Sequence, residues 1–119
     1  MRIEIYPING IKIAEIISDE VLIKETQDAL DIMAESTYQG SWKIILHEKN
    51  VIPDFFDLRT GIAGDILQKF STYNVQLALV GDFSQYSSKS LKNFILESNR
   101  HGRIFFVSSL DEAKERLAK

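Results

Sequence analysis

The residue types that could do chemistry crowd into one stretch, "HEKNVIPDFFDLRTGIAGDILQKF", His47 to Phe70. Asp54, Asp57, Arg59 and Thr60 precede a helix that is entered through Gly61 and Gly64. A helix beginning near Thr60-Gly61 presents unpaired N–H groups and the positive end of its dipole, an arrangement that favours an anion. Thr60 can cap that helix or accept a phosphate, and Arg59 can pair with a bound anion or an acidic partner. The same residues also carry a purely structural reading. Asp57 can be the N-cap, with Leu58 and Ile62 on the buried face, and the two glycines can let the helix approach a sheet. Asp54 and Asp57 have the chemistry of an acid–base pair or of hard oxygen ligands for Mg²⁺. His47 and Glu48 are neighbours on a strand and so point to opposite faces. His101, in "NRHG", suits a helix exit, where a cation meets the negative end of the dipole. Phe55-Phe56, directly after Pro53, reads as an exposed aromatic anchor for a partner or for a second copy of the chain, or else as a loop that folds back and buries both rings.

Two further groups belong with this stretch. Gly81, Asp82, Phe83 and Ser84 follow the apolar run "VQLALV", and Ser108 and Ser109 follow "RIFFV". Ligands of open α/β sheets gather beyond the carboxyl ends of the strands. If these runs are neighbouring strands, all three loops share one rim.

The elements that would position them follow from periodicity. Ile3 and Ile5 alternate with polar residues, as do Ile11 and Ile13, and Asn9-Gly10 lies between the two runs: a two-residue hairpin. Pro7 places the first strand at an edge. Ser18 or Asp19 caps a first helix carrying Ile23, Thr26, Ala29, Leu30 and Met33 on one face, ended by Gly40. "WKIIL", Trp42 to Leu46, reads as a strand covered on both faces. A second helix buries Ile62, Ile66, Leu67 and Phe70, and Val75 to Gly81 forms the next strand. A third helix, capped by Ser87 or Ser88, turns Leu91, Phe94 and Ile95 inward and ends before Gly102. After "RIFFV", Ser109 and Glu112 form a capping box for a last helix with Leu110, Ala113 and Leu117 inward. The order is strand, strand, helix, then strand–helix three times: one α/β domain over residues 1–119, with a mixed, mostly parallel five-stranded sheet.

Composition bounds the function. The chain has 119 residues, no cysteine and a net charge of −3. Disulfides and thiolate zinc sites are excluded, and the absence of a basic run argues against nucleic acid. No segment approaches the ~20 apolar residues of a membrane helix, and the N-terminus lacks the pattern of a signal peptide. A cytoplasmic location is expected. Dinucleotide, phosphate-loop, nucleophile-elbow and paired-histidine motifs are absent, so no cofactor or catalytic set is implied.

"NGIKIAEIISDE", "KIILHEKNVIPDFFDLRTGIAGDILQKF" and "LALVGDFSQYSSKSLKNFILESN" together resemble the short bacterial proteins of the domain-of-unknown-function 4180 family, over nearly the whole chain. That family brings no established reaction. The element order also resembles the STAS domain of anti-sigma-factor antagonists. The resemblance implies a phosphorylatable Ser or Thr before a Gly at the start of the helix after the third strand, and Thr60-Gly61 corresponds. Here Arg59 precedes the threonine, where the antagonists have an acidic residue close to the strand end. The expectation is a non-catalytic regulatory module with a protein partner, contacting it through Phe56, Asp57, Arg59, Thr60, Gly61, Asp82 and Ser84. A phosphate, small anion or nucleotide would act at Thr60. The alternative is a small-ligand binder or an enzyme acting on an anionic substrate at the same rim, and a homodimer through Phe55-Phe56 is the third reading.

Overall fold

The sheet is built in the order in which the chain meets its strands. In the computed structural model, which describes Met1 to Lys119, β1 (Arg2–Ile8), β2 (Ile11–Ile17), β3 (Lys43–His47), β4 (Gln76–Val80) and β5 (Ile104–Val107) lie side by side in sequence order. β1 and β2 pair antiparallel around Asn9-Gly10, both at positive φ, and the remaining pairs are parallel. Pro7 sits in an edge strand, where its missing N–H breaks no ladder.

Helices α1 (Thr26–Tyr38), α2 (Ile62–Thr72) and α3 (Lys89–His101) cover one face, and α4 (Leu110–Leu117) covers part of the other. The strands show why their sequences are continuously apolar. Ile44, Leu46, Leu77, Leu79, Ile104 and Phe106 point into the core beneath α1–α3, whereas Ile45, Ala78, Phe105 and Val107 point toward α4. Alternate residues thus serve two cores. Two helix caps stand where the sequence puts them: the Ser88 hydroxyl accepts from Leu91 N, and Ser109 from Glu112 N. The reciprocal half of the last box shifts by one residue, because Glu112 Oε1 accepts from Ser108 N at 3.0 Å.

Two expected elements differ. α1 starts at Thr26, with Glu25 as N-cap in place of Ser18 or Asp19. Ile23 is not helical; it forms a parallel bridge to Val51. The reason is Asn50, fully buried, whose Nδ2 donates to Ser18 O (2.8 Å) and Glu20 O (2.9 Å) and whose backbone carbonyl accepts from Leu22 N and Ile23 N. A long-range pin outcompetes the helical spacing of Ile23. The second difference is Trp42, which precedes β3 and is 49% exposed.

Candidate functional site

β3, β4 and β5 are adjacent and in register, His47 opposite Val80 and Val80 opposite Val107. The loops after them therefore share one rim, as expected if these strands are neighbours. The segment after β3 winds through three short 3₁₀ turns, Glu48–Asn50, Pro53–Phe56 and Leu58–Thr60, before α2.

Phe55 and Phe56 are not exposed: they keep 1% and 7% of their surface. The turn from Pro53 folds both rings inward. Phe56 stacks on Tyr86 at 4.8 Å and lies 5.9 Å from Phe83, while Phe55 packs edge-on to Phe56 at 5.0 Å. Burying such a ring is worth about 1.5–3 kcal/mol, which favours the folded-back loop. The expected aromatic anchor is thus the hidden layer that ties the β3–α2 loop to the β4–α3 loop. The observation that motivated a homodimer through these rings disappears with it.

Above that layer the polar residues are outward. Asp57 is the N-cap of the Leu58–Thr60 turn, and not of α2. Its Oδ1 accepts from Arg59 N (3.1 Å) and Arg59 Nε (3.0 Å), and its Oδ2 from an Arg59 terminal nitrogen (2.9 Å). This forked hydrogen bonding holds the Asp57 carboxyl below its usual range and the guanidinium above its own. The Thr60 hydroxyl is exposed and lies 2.9 Å from Asp54 O and 2.8 Å from Asp57 O, either of which it can donate to; its oxygen accepts weakly from Ile62 N at 3.3 Å. Gly61 is the N-cap of α2 at φ +78°, the left-handed conformation that glycine adopts without strain. The Asp54 side chain makes no ion pair or hydrogen bond, and no group of three or more His, Asp or Glu is placed to hold a metal ion.

On the neighbouring loop, Asp82 caps the Phe83–Gln85 turn. Its Oδ1 accepts from Ser84 Oγ at 2.5 Å and from Ser84 N at 3.1 Å, and the serine hydroxyl lowers the Asp82 pKa. Asp57–Gly61 and Asp82–Ser84 each close on themselves. No hydrogen bond joins the two sets; the Phe56, Phe83 and Tyr86 rings join them from beneath.

Glu48, His47 and Glu15 are the residues whose roles the sequence conceals. Glu48 Oε2 accepts from the Tyr86 hydroxyl and from Gln85 Nε2 (2.9 Å), and Oε1 accepts from Asp82 N at 3.3 Å. Burial, reinforced by the Glu48 carboxylate, pushes the Tyr86 phenol upward. His47 turns to the α4 side of the sheet, where Nε2 lies 2.7 Å from Glu15 Oε2. Tyr6 donates to Glu15 Oε1 at 2.7 Å. Glu15 is 6% exposed, and the signal for it is the sequence "IKIAEII", where a carboxylate takes a place in the alternation that Ile11 and Ile13 hold.

The sequence profile of the family described as "Domain of unknown function (DUF4180)" matches residues 8–117. The chain belongs to the DUF4180 family. Comparison with curated proteins finds no significant match. Among solved structures, a proposed anti-sigma factor antagonist from Thermotoga maritima is similar, with a TM-score of 0.53 and 17% identity, over 99% of this chain and 94% of the other. At that identity the likeness concerns the fold alone, and the DUF4180 chain has a STAS-like α/β fold with a five-stranded mixed sheet. No helix is long and apolar enough to cross a membrane.

Proposed function

We propose that this DUF4180 protein, read as one unit over residues 1–119, is a non-catalytic, cytoplasmic regulatory module. Its partner would be a protein, met through the rim of Asp57, Arg59, Thr60, Gly61, Asp82 and Ser84. Phe56 supports this surface from below.

The observation that carries the reading is the state of Thr60. Its hydroxyl is exposed, yet its donor proton holds the turn closed against Asp54 O and Asp57 O. Esterification by phosphate removes that donor and sets a dianion at the start of α2, beside Arg59. Arg59 would then choose between Asp57 and the phosphate. One modification would both open the turn and change its charge. The likeness to a proposed anti-sigma factor antagonist favours an interaction role with a protein partner.

A quantitative pull-down from the native host's lysate tests this, comparing wild type with Thr60→Asp and Arg59→Glu. The expected result is a partner held by wild type and released by both variants. Retention of every partner by both variants, each still folded, overturns the reading.

A second reading has its own observation. A cleft of about 570 Å³ lies between the rim loop and the start of α3, lined by Phe56, Asp57, Leu58, Arg59, Ser88 and Ser90. Its volume falls in the ~300–1,000 Å³ range of small-molecule sites, and Arg59 with the serines suits a small anion or a nucleotide. Saturable binding of inorganic phosphate or ATP, lost in Arg59→Ala, would favour this reading.

A further inference from the structure

The opposite end of the sheet, where the chain enters β4 and β5, holds a second site of different chemistry. A cleft of about 400 Å³ opens between the last turns of α2 and α3, within the ~300–1,000 Å³ range of small-molecule sites. Leu67 and Phe94 form its apolar walls, and Glu97, Ser98, His101 and Arg103 add polar groups. Phe94 stands edge-on to Phe106 at 6.0 Å, so that wall is fixed by the core.

Ser98 is the anomaly. α3 turns an apolar stripe of Leu91, Phe94 and Ile95 inward, and the next position on that stripe is this serine, only 5% exposed. Its hydroxyl makes no hydrogen bond within the chain. It lacks even the backward bond to a carbonyl that Thr37 and Thr72 make in α1 and α2. Buried hydroxyls are normally paired, and this one borders the cleft, free to donate into it.

Arg103 is the matching cation. Its Nη1 donates to Val75 O at 3.3 Å, and it forms no ion pair, so Nε and Nη2 have no partner. Glu97, the carboxylate of the cleft, is met by Arg100 at 3.4 Å and by His101 at 3.8 Å. The Arg103 charge is left over. Lys43 registers it: burial, reinforced by Arg103, pulls the ammonium below its usual range, and its hydrogen bond goes to Gln76 and not to a carboxylate. Carbonyls at the ends of α2 and α3, which would repel an anion, already accept from Tyr73 N, Val75 N and Gly102 N, and Asn99 O accepts from Arg116 at 2.9 Å.

We propose that this cleft binds a small organic monocarboxylate carrying an aromatic or branched aliphatic group. The carboxylate would take a forked pair of bonds from Arg103 Nε and Nη2 and a third from Ser98 Oγ. The hydrocarbon would lie between Leu67 and Phe94. One uncompensated cation, with Glu97 in the wall, suits a single negative charge and disfavours a phosphate dianion. The site is separate from the rim and stands whether or not Thr60 is a switch.

Phenylacetate and isovalerate are the probes, titrated into the full chain and followed by NMR of the backbone amides and the arginine Nε groups. Phenylacetamide and inorganic phosphate are the comparators. The expected result is saturable binding of at least one carboxylate that moves the Leu67, Phe94, Ser98 and Arg103 signals, with no saturation by either comparator. Arg103→Gln should weaken it about tenfold or more. Ser98→Ala, which leaves the Arg103–Val75 bond intact, should weaken it several-fold, and Arg59→Ala should bind as wild type does. Absence of saturable binding by both carboxylates overturns the proposal, as do equal binding of phenylacetamide, a preference for phosphate, or unchanged affinity in the folded Arg103 and Ser98 variants. Loss of binding in Arg59→Ala places the ligand on the rim and overturns it too.

Discussion

The Glu48 carboxylate occupies the space that a side chain at residue 81 would need: a Cβ on Gly81 would stand 2.5 Å from Glu48 Oε1 and 2.7 Å from Glu48 Cβ. Glu48 in turn holds the Gly81–Tyr86 loop through Asp82 N, Gln85 and Tyr86. Glycine at 81 is therefore the condition for the rim's second loop to close over the first. Gly81→Ala is expected to cost about 1–3 kcal/mol through overpacking. In a Glu48→Gly background the same change should cost measurably less, because both Glu48 atoms it meets are gone. Urea denaturation of the four proteins in this cycle provides the check, and strict additivity would refute the steric account.

Asn50 joins the β2–α1 segment to the rim. Asn50→Ala removes both Nδ2 donors from Ser18 O and Glu20 O and the Oδ1 acceptor from His47 N at 3.2 Å. Leaving such groups unpaired costs roughly 1–3 kcal/mol each where they stay dry. A loss of about 2–4 kcal/mol is expected, and hydrogen exchange should show Leu22 and Ile23 losing protection. Protection unchanged from wild type would count against the pin.

Tyr6 carries a pH signature. Its hydrogen bond to Glu15, helped by burial and by that carboxylate's charge, raises the phenol from 10.0 to about 12. The folded form thus holds this proton more tightly than the unfolded chain. The stabilisation is fully present below about pH 10 and is lost as pH rises through about 12. The spectrophotometric tyrosine titration of wild type minus that of Tyr6→Phe should show a step near 12. A step near 10 would mean that the Tyr6–Glu15 bond does not persist in solution.

Asp57 should behave in the opposite sense. Its carboxyl is held below 3.8 by the Arg59 hydrogen bonds, so whatever stability the pair adds is present above about pH 4 and fades as pH falls through the lowered value. Both groups are solvent-facing, so the effect on folding is small. The effect on titration is not. Arg59→Ala should raise the Asp57 carboxyl part of the way to its ordinary range in an NMR titration, since the backbone N–H of residue 59 still donates to it, while Asp82, held by Ser84, stays low. Movement of both, or of neither, would contradict the self-contained turns.

Trp42 shows where a sequence reading goes astray. An apolar run beginning with tryptophan reads as buried strand, yet the strand starts one residue later and leaves the indole at the surface. Phe55-Phe56 goes the other way: of its two readings, exposed anchor or folded-back loop, the second holds, and both rings are buried. Nothing within a few residues of either site distinguishes the outcomes, because each depends on what the rest of the chain sets beside it.

The sequence by itself determined several features that rest on contacts between near neighbours: the Asn9-Gly10 hairpin, the Ser88 and Ser109 caps and the strand periods. Those hydrogen bonds close within a turn, so the residue types alone decide them. It also placed Asp57, Arg59, Thr60, Asp82 and Ser84 on one rim, since parallel strands in sequence order must end their loops on the same side. Only the tertiary structure decided that Glu48 would hold Tyr86, 38 residues away, and that His47 would turn to Glu15, 32 residues back. Only the tertiary structure turned Phe56 into the floor of that rim. Pairings of this kind form only where strand order and packing bring distant segments together, and local propensity carries no information about them.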